Sequence, residues 1–178
     1  LSNSAFVPPP KFYQQLQLHI DGAPNQHYAT VLVPLDRGTS ASVEADAETG
    51  GARITVGKQV DRAMLFPSNR RIDGPSVIFE GMSGAVRTKG KTLTLLQVLG
   101  TSIGFRGRLQ IDGDGPFSAT LAPSGKLELS TDGLGRWLTI RGKEFSSASL
   151  ARKPVALETV TGGVRLRVPP GKQTFKLE

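Results

Sequence analysis

Residues 108–141 read RLQIDGDGPFSATLAPSGKLELSTDGLGRWLTIR, and this stretch decides the fold. Short runs rich in Leu, Ile, Thr and Phe alternate with turn sequences at Asp112–Gly115, Pro123–Gly125 and Asp132–Gly133. Glycine, proline and aspartate mark tight turns, whereas the residues between them favour extended backbone. The stretch therefore predicts a series of short β-strands.

The same punctuation extends over most of the 178 residues, and no helix start signal is followed by a helical period. We therefore predict an all-β fold, an antiparallel β-sandwich of many short strands, in which residues 12–178 form a single domain. Residues 1–11 contain Pro8, Pro9 and Pro10 and are predicted to be a linker or domain-entry segment, because consecutive prolines cannot pair in a central strand.

Individual segments refine this prediction. Separate strands are expected at Ser76–Gly81, Gly84–Arg87 and Ser102–Phe105, and the apolar run Thr92–Leu99 is predicted to be a core strand. The sequence Asp112–Gly115 begins like a calcium-binding loop but lacks the later acidic ligand, so a tight hairpin is favoured there.

The composition of the chain excludes several kinds of functional site. The chain has no cysteine, which excludes a zinc–thiolate site, a catalytic thiol and a disulfide framework. We predict no metal and no cofactor.

Residues 1–50 carry two basic groups against five acidic ones, while residues 51–178 carry twenty against ten. A positive body attracts polyanions, and the candidates are acidic polysaccharide, nucleic acid and an anionic membrane. Nucleic acid is less favoured because only 6% of residues are aromatic and no RNP-like or zinc-finger pattern occurs. No apolar run approaches a membrane span, so no membrane partner is predicted.

Candidate ligand-binding residues lie in the first predicted strand. Tyr13, Gln15, Gln17 and His19 alternate with apolar residues and therefore share one strand face. Amide, imidazole and aromatic groups of this kind could line a sugar groove, although a plain solvent face is the favoured interpretation.

Three further residues are candidates for substrate contact. His27 and Tyr28 could transfer protons, but a loop cap and the first residue of a buried strand are favoured for them. Trp137 shares a face with Thr139 and Arg141 and is either a core residue, which is favoured, or a platform for a ligand. No G-x-S-x-G turn and no paired catalytic carboxylates can be assigned, so no catalytic residue is predicted.

Several stretches resemble the C-terminal β-sheet region of heparinase II/III-like, alginate-lyase-like polysaccharide lyases. Together they cover most of residues 27–178. They are His27–Pro34, Val60–Phe66, Glu80–Arg87, Leu95–Ile103, Gly115–Leu121 and Val168–Phe175.

The resemblance implies a non-catalytic domain that follows a helical toroid, supports the substrate cleft and binds acidic polysaccharide. It also implies an upstream catalytic domain in the same protein and a periplasmic or secreted location. The chain alone is then not expected to be active. The alternative is a stand-alone carbohydrate-binding or adhesin-like β-sandwich module. An upstream α-helical region in the complete reading frame would favour the lyase over the module.

Overall fold

The computed structural model describes residues 13–16, 31–142, 148–150 and 153–177. All regular elements in these residues are β-strands, and all strand pairs are antiparallel. The predicted all-β, antiparallel class is therefore confirmed. No helix in the described ranges is long and apolar enough to span a membrane.

The strands, in chain order, are β1 (Tyr13–Leu16), β2 (Val31–Pro34), β3 (Ser42–Ala45), β4 (Ala52–Val56), β5 (Gln59–Asp73), β6 (Val77–Lys89), β7 (Thr92–Phe105), β8 (Leu109–Asp112), β9 (Phe117–Leu121), β10 (Lys126–Thr131), β11 (Arg136–Arg141), β12 (Ala148–Leu150), β13 (Lys153–Pro154), β14 (Glu158–Val160), β15 (Gly163–Val168) and β16 (Gly171–Leu177). The first two form a two-stranded sheet, and the other fourteen belong to one branched sheet.

Three long strands form the centre of the branched sheet. β5, β6 and β7 contain 15, 13 and 14 residues, so the short strands predicted in this part of the chain are wrong. The segments predicted as separate strands around Gly84 and Gly100 join their neighbours into β6 and β7. The glycines lie where the register between β6 and β7 shifts, so they bend these strands without ending them.

The sheet forks at β7. Residues Leu93–Gln97 of this strand pair with β9, whereas Ser102–Phe105 pair with β8. The first branch continues from β9 through β10, β16, β12 and β13, and the second joins β8, β11, β15 and β14. The chain passes from one branch to the other after Asp112 and again after Thr131. The tight hairpin predicted at Asp112–Gly115 is therefore wrong, because β8 and β9 do not pair with each other.

Both branches contribute side chains to one buried cluster. Alternation places every second residue of these strands inward, as at Leu127 and Leu129 of β10 and at Leu138 and Ile140 of β11, which are all 0% exposed. Phe79 of β6 lies in the same cluster. The two branches thus share one hydrophobic core, while the division into two packed sheets that a sandwich requires stays a prediction.

The first half of β7 is buried on one face only. Leu93, Leu95 and Gln97 are fully buried, whereas Leu96 and Val98 on the opposite face are 43% and 42% exposed. The predicted core strand is therefore confirmed for alternate residues. The exposed residues are apolar as well, which is why the sequence run looked continuous.

Candidate functional site

An open cavity of about 630 Å³ lies on the outer face of the second branch. We call it the Trp137 cleft. It is formed where two of the connections between the branches, residues 113–116 and 132–135, flank the start of β11, and we call these two the crossing loops. Its main polar and aromatic side chains are Asp112, Asp114, Arg136, Trp137, Arg141 and Arg165.

Trp137 points outward because of its position in β11. Leu138 and Ile140 alternate with it and are fully buried, so the outward phase belongs to Trp137 and Thr139. The indole is 43% exposed. The favoured core position for Trp137 is therefore wrong, and the platform alternative agrees with the geometry.

Two arginines of β15 flank the indole. The guanidinium carbon of Arg165 lies 4.9 Å from the centre of the Trp137 ring, a cation–π distance. Its nearest carboxylate partner, Glu158, is 3.9 Å away, and both side chains are about half exposed. Arg167 is the cross-strand partner of Trp137, lies on the same face and is exposed. Positive charge is therefore concentrated beside the aromatic ring.

Arg136 connects the two crossing loops at the mouth of the cleft. Its guanidinium pairs with Asp132 and donates a hydrogen bond to the backbone carbonyl of Asp114. The hydrogen bond from Arg136 holds the pKa of Asp132 below its ordinary value. Asp132 therefore stays ionised at neutral pH and fixes Arg136 in place.

A hydrogen-bonded cluster around Asp112 begins at the cleft, which Asp112 and Arg141 line, and extends beyond it to Ser102 and Gln110. Arg141 Nε donates to Asp112 Oδ2 at 2.5 Å, and Ser102 Oγ donates to Asp112 Oδ1 at 2.8 Å. Gln110 Nε2 donates to Asp112 Oδ1 at 2.9 Å and to Ser102 Oγ at 3.1 Å. Asp112 is thus held by three donors, which leaves a rigid, polar surface able to accept or donate hydrogen bonds to hydroxyl groups.

Gln97 lies beneath the cleft and contacts the backbone of Gly113, which lines it. This residue is not among those predicted from the sequence. Its buried amide nitrogen lies 2.8 Å from Gly100 O, 2.7 Å from Gly113 O and 3.0 Å from Gly115 O. These contacts fasten the first crossing loop to the bend of β7. The available signal was a single polar side chain on the inward phase of an otherwise apolar run.

Of the other predicted site residues, the structure describes only two. Tyr13 and Gln15 belong to β1, where they pair with Pro34 and Leu32 of β2. Gln17, His19, His27 and Tyr28 lie outside the described residues. The predicted sugar groove on the face of the first strand stays a prediction. The Trp137 cleft is a second candidate site, independent of it.

Comparison with known proteins does not extend this picture. No family model, no curated protein and no solved structure matches the chain. Within the described ranges, no group of three or more histidine or carboxylate side chains is arranged to hold a metal ion. The chemistry of the cleft is therefore the basis on which a function can be proposed.

The only tryptophan of the chain makes the local charge measurable. Because Arg165 and Arg167 flank the exposed indole, anionic iodide should quench its fluorescence about twofold more efficiently than cationic caesium at low ionic strength. The double variant Arg165→Gln/Arg167→Gln should remove this preference. Equal quenching of the unaltered protein by the two ions would contradict a positive field at Trp137.

A matched control is available on β4. Arg53 pairs with Glu44 across neighbouring strands at 3.3 Å, with exposures of 43% and 54% that resemble the 46% and 54% of Arg165 and Glu158. Arg53→Gln removes the same charge from a similar environment, but Arg53 does not line the Trp137 cleft. The quenching preference should survive this substitution.

Proposed function

We propose that this chain is a non-catalytic β-domain that binds an acidic polysaccharide through the Trp137 cleft. The observation that carries the proposal is the exposed Trp137 ring in an open cavity, with Arg165 over the ring and Arg167 as its neighbour on the adjacent strand. An aromatic face packs against the apolar face of a sugar ring, and an arginine fork binds a carboxylate or sulfate.

The hydrogen-bonded cluster around Asp112 supports the same ligand class. Asp112 lines the cleft and is held by hydrogen bonds from Ser102 and Gln110, so it loses little freedom when a hydroxyl-rich ligand arrives. The overall charge of +7 favours encounter with a polyanion. The cleft has no deep enclosed pocket that would suit a small apolar ligand.

The finer proposal is that the domain serves as an accessory to a heparinase II/III-like lyase. The resemblance of residues 27–178 supports that assignment, and so does the preference for acidic glycans that the arginines suggest. In this proposal another domain of the same protein performs β-elimination, and the present chain holds the substrate near it.

The binding proposal is tested by titrating the purified chain with alginate or heparin oligosaccharides and following Trp137 fluorescence. Saturable binding should weaken as salt rises, and neutral maltooligosaccharides should bind far more weakly. Each of Arg165→Gln and Arg167→Gln should weaken binding of the acidic ligand by about tenfold, the value of one charge-assisted hydrogen bond.

Arg53→Gln is the control for overall charge, and it should leave the dissociation constant within about twofold of the unaltered value. An equal loss with Arg53→Gln would mean that net charge alone drives binding and would overturn the proposed site. Tighter binding of a single-stranded oligonucleotide than of any acidic glycan would assign a nucleic acid instead. Release of unsaturated uronate by the purified chain would contradict the non-catalytic role.

A further inference from the structure

The outer face of the second branch continues past the Trp137 cleft. Successive register partners on six neighbouring strands form one polar row across the sheet. From β15 to β5 these residues are Arg165, Thr139, Asp112, Ser102, Glu80 and Arg71. Five strand spacings correspond to a length of about 24 Å. We call this row the polar track.

A second cavity lies at the far end of the track. It has a volume of about 250 Å³ and is lined by Arg71, Glu80 and Arg106, together with Ser102 and Gln110. The last two residues also bond to Asp112, which lines the Trp137 cleft. The two cavities are therefore joined through one hydrogen-bonded cluster.

Charge is distributed unevenly along the track. Arg165 and Arg167 lie at one end, and the exposed Arg71 lies at the other. The middle contains the hydroxyl groups of Thr139 and Ser102 and the carboxylates of Asp112 and Glu80. Asp112 is paired with Arg141, whereas the carboxylate of Glu80 accepts hydrogen bonds from sugar hydroxyls but repels acidic groups, so we place the acidic groups of the ligand at the arginines of the two ends.

We infer that the track binds a single acidic oligosaccharide chain lying across the strands. One acidic group contacts Arg165 and Arg167, a second contacts Arg71, and uncharged hydroxyl groups lie over the middle. This inference rests on the proposed glycan-binding function and adds a minimum ligand length to it. A ligand long enough to reach both ends gains affinity because its second contact forms at high effective concentration.

The experiment compares acidic oligosaccharides of increasing length, from a disaccharide to chains longer than about 24 Å when extended. Trp137 fluorescence reports binding at the first end in every case. For the unaltered protein, affinity should rise by about tenfold or more once the ligand spans the track. Arg71→Gln should reduce the affinity for long ligands by that factor and leave the disaccharide affinity within about twofold.

The outcomes separate this inference from the proposed function. If affinity per binding site is independent of ligand length, the track is wrong and the Trp137 cleft alone is the site. If Arg71→Gln weakens disaccharide and long ligands equally, Arg71 acts on the whole fold and the two-ended mode is again wrong. If no acidic oligosaccharide of any length binds, both proposals fail. Arg53→Gln and thermal unfolding of each variant control for charge and for folding.

Discussion

Replacement of Glu48 by alanine should lower the free energy of unfolding by roughly 3 kcal/mol, the lower end of the usual effect of breaking a buried ion pair by removing one partner, because Glu48 and Arg62 are largely but not fully buried. For a chain of this size, such a loss lowers the melting temperature by roughly 10 °C. Urea denaturation of the purified variant measures the change directly.

The size of the effect follows from the contacts of one carboxylate. Glu48 lies in the loop between β3 and β4, and its side chain is only 11% exposed. Its Oε1 accepts hydrogen bonds from the backbone nitrogens of Ser76 and Val77, both at 2.6 Å. Its Oε2 accepts a bond from Ser76 Oγ at 2.9 Å and lies 3.3 Å from Arg62 Nη1. Alanine leaves all four donors without this partner.

Arg62 increases the expected loss of stability, because this arginine pairs with both Glu48 and Asp46. Its guanidinium also lies 3.2 Å from Asp46 Oδ2, and Asp46 is 5% exposed. Two carboxylates thus share one largely buried cation, and Glu48 connects the β3–β4 loop to the turn between β5 and β6. Removal of Glu48 therefore weakens the attachment of β3 and β4 to the rest of the sheet.

The same carboxylate gives a predictable pH dependence. Burial raises the pKa of Glu48, but the hydrogen bonds from Val77 and Ser76 and the charge of Arg62 outweigh burial and hold the pKa below its ordinary value of 4.5. A lowered folded-state pKa means that the unfolded chain takes up the proton first as pH falls. The contribution of Glu48 is therefore complete at neutral pH and is lost progressively below about pH 4.5.

Two variants make the experiment decisive. Glu48→Gln keeps an acceptor oxygen but not the charge, so its loss should be smaller, about 2 kcal/mol, and should shrink as pH falls below the ordinary pKa. Glu44→Ala breaks the exposed pair with Arg53 and should cost less than about 1 kcal/mol. Similar losses for Glu44→Ala and Glu48→Ala would show that the buried network contributes no more than a surface ion pair.

Local patterns in the sequence were sufficient for the strands but not for their connections. The turn sequences at Pro123–Gly125 and Asp132–Gly133 separated β9, β10 and β11 correctly, because turn and alternation signals act over a few neighbouring residues. The crossings after Asp112 and Thr131 could not be read in the same way. Asp-Gly sequences favour any tight change of direction, and the choice between a hairpin and a crossing depends on strands distant in sequence.

The candidate site was predictable in part for the same reason. The alternation of Trp137 with Leu138 was visible, so the opposed faces of β11 were known, but which face is buried depends on the position of the core. The approach of Arg165 to Trp137 comes from pairing between β11 and β15, which lie more than twenty residues apart in the chain. The role of Gln97 could not be predicted, because it depends on the position of the crossing loop that this residue anchors.

The bend of the long strands gives the second large prediction. Gly81→Ala should lower the free energy of unfolding by about 3 kcal/mol, at the upper end of the usual cost of overpacking. A Cβ at Gly81 would lie 2.4 Å from the carbonyl oxygen of Leu99, 2.6 Å from Gly100 Cα and 3.0 Å from the ring of Phe79. The first two contacts are backbone atoms of β7, so no side-chain rotation can relieve them.

The matched control for Gly81→Ala is Gly133→Ala. No atom lies within 4 Å of a Cβ at Gly133, and its φ does not require glycine, so this variant should stay within about 0.5 kcal/mol of the unaltered protein. Equal stability of the two variants in urea would mean that β6 and β7 do not approach closely at the bend.

Gly81 and Gly100 are register partners where β7 changes from pairing with β9 to pairing with β8. Separation of the strands there would open the core shared by both branches. We therefore expect the stability lost in Gly81→Ala to appear as a shift of one cooperative unfolding transition of the described sheet, and not as local unfolding at the Trp137 cleft.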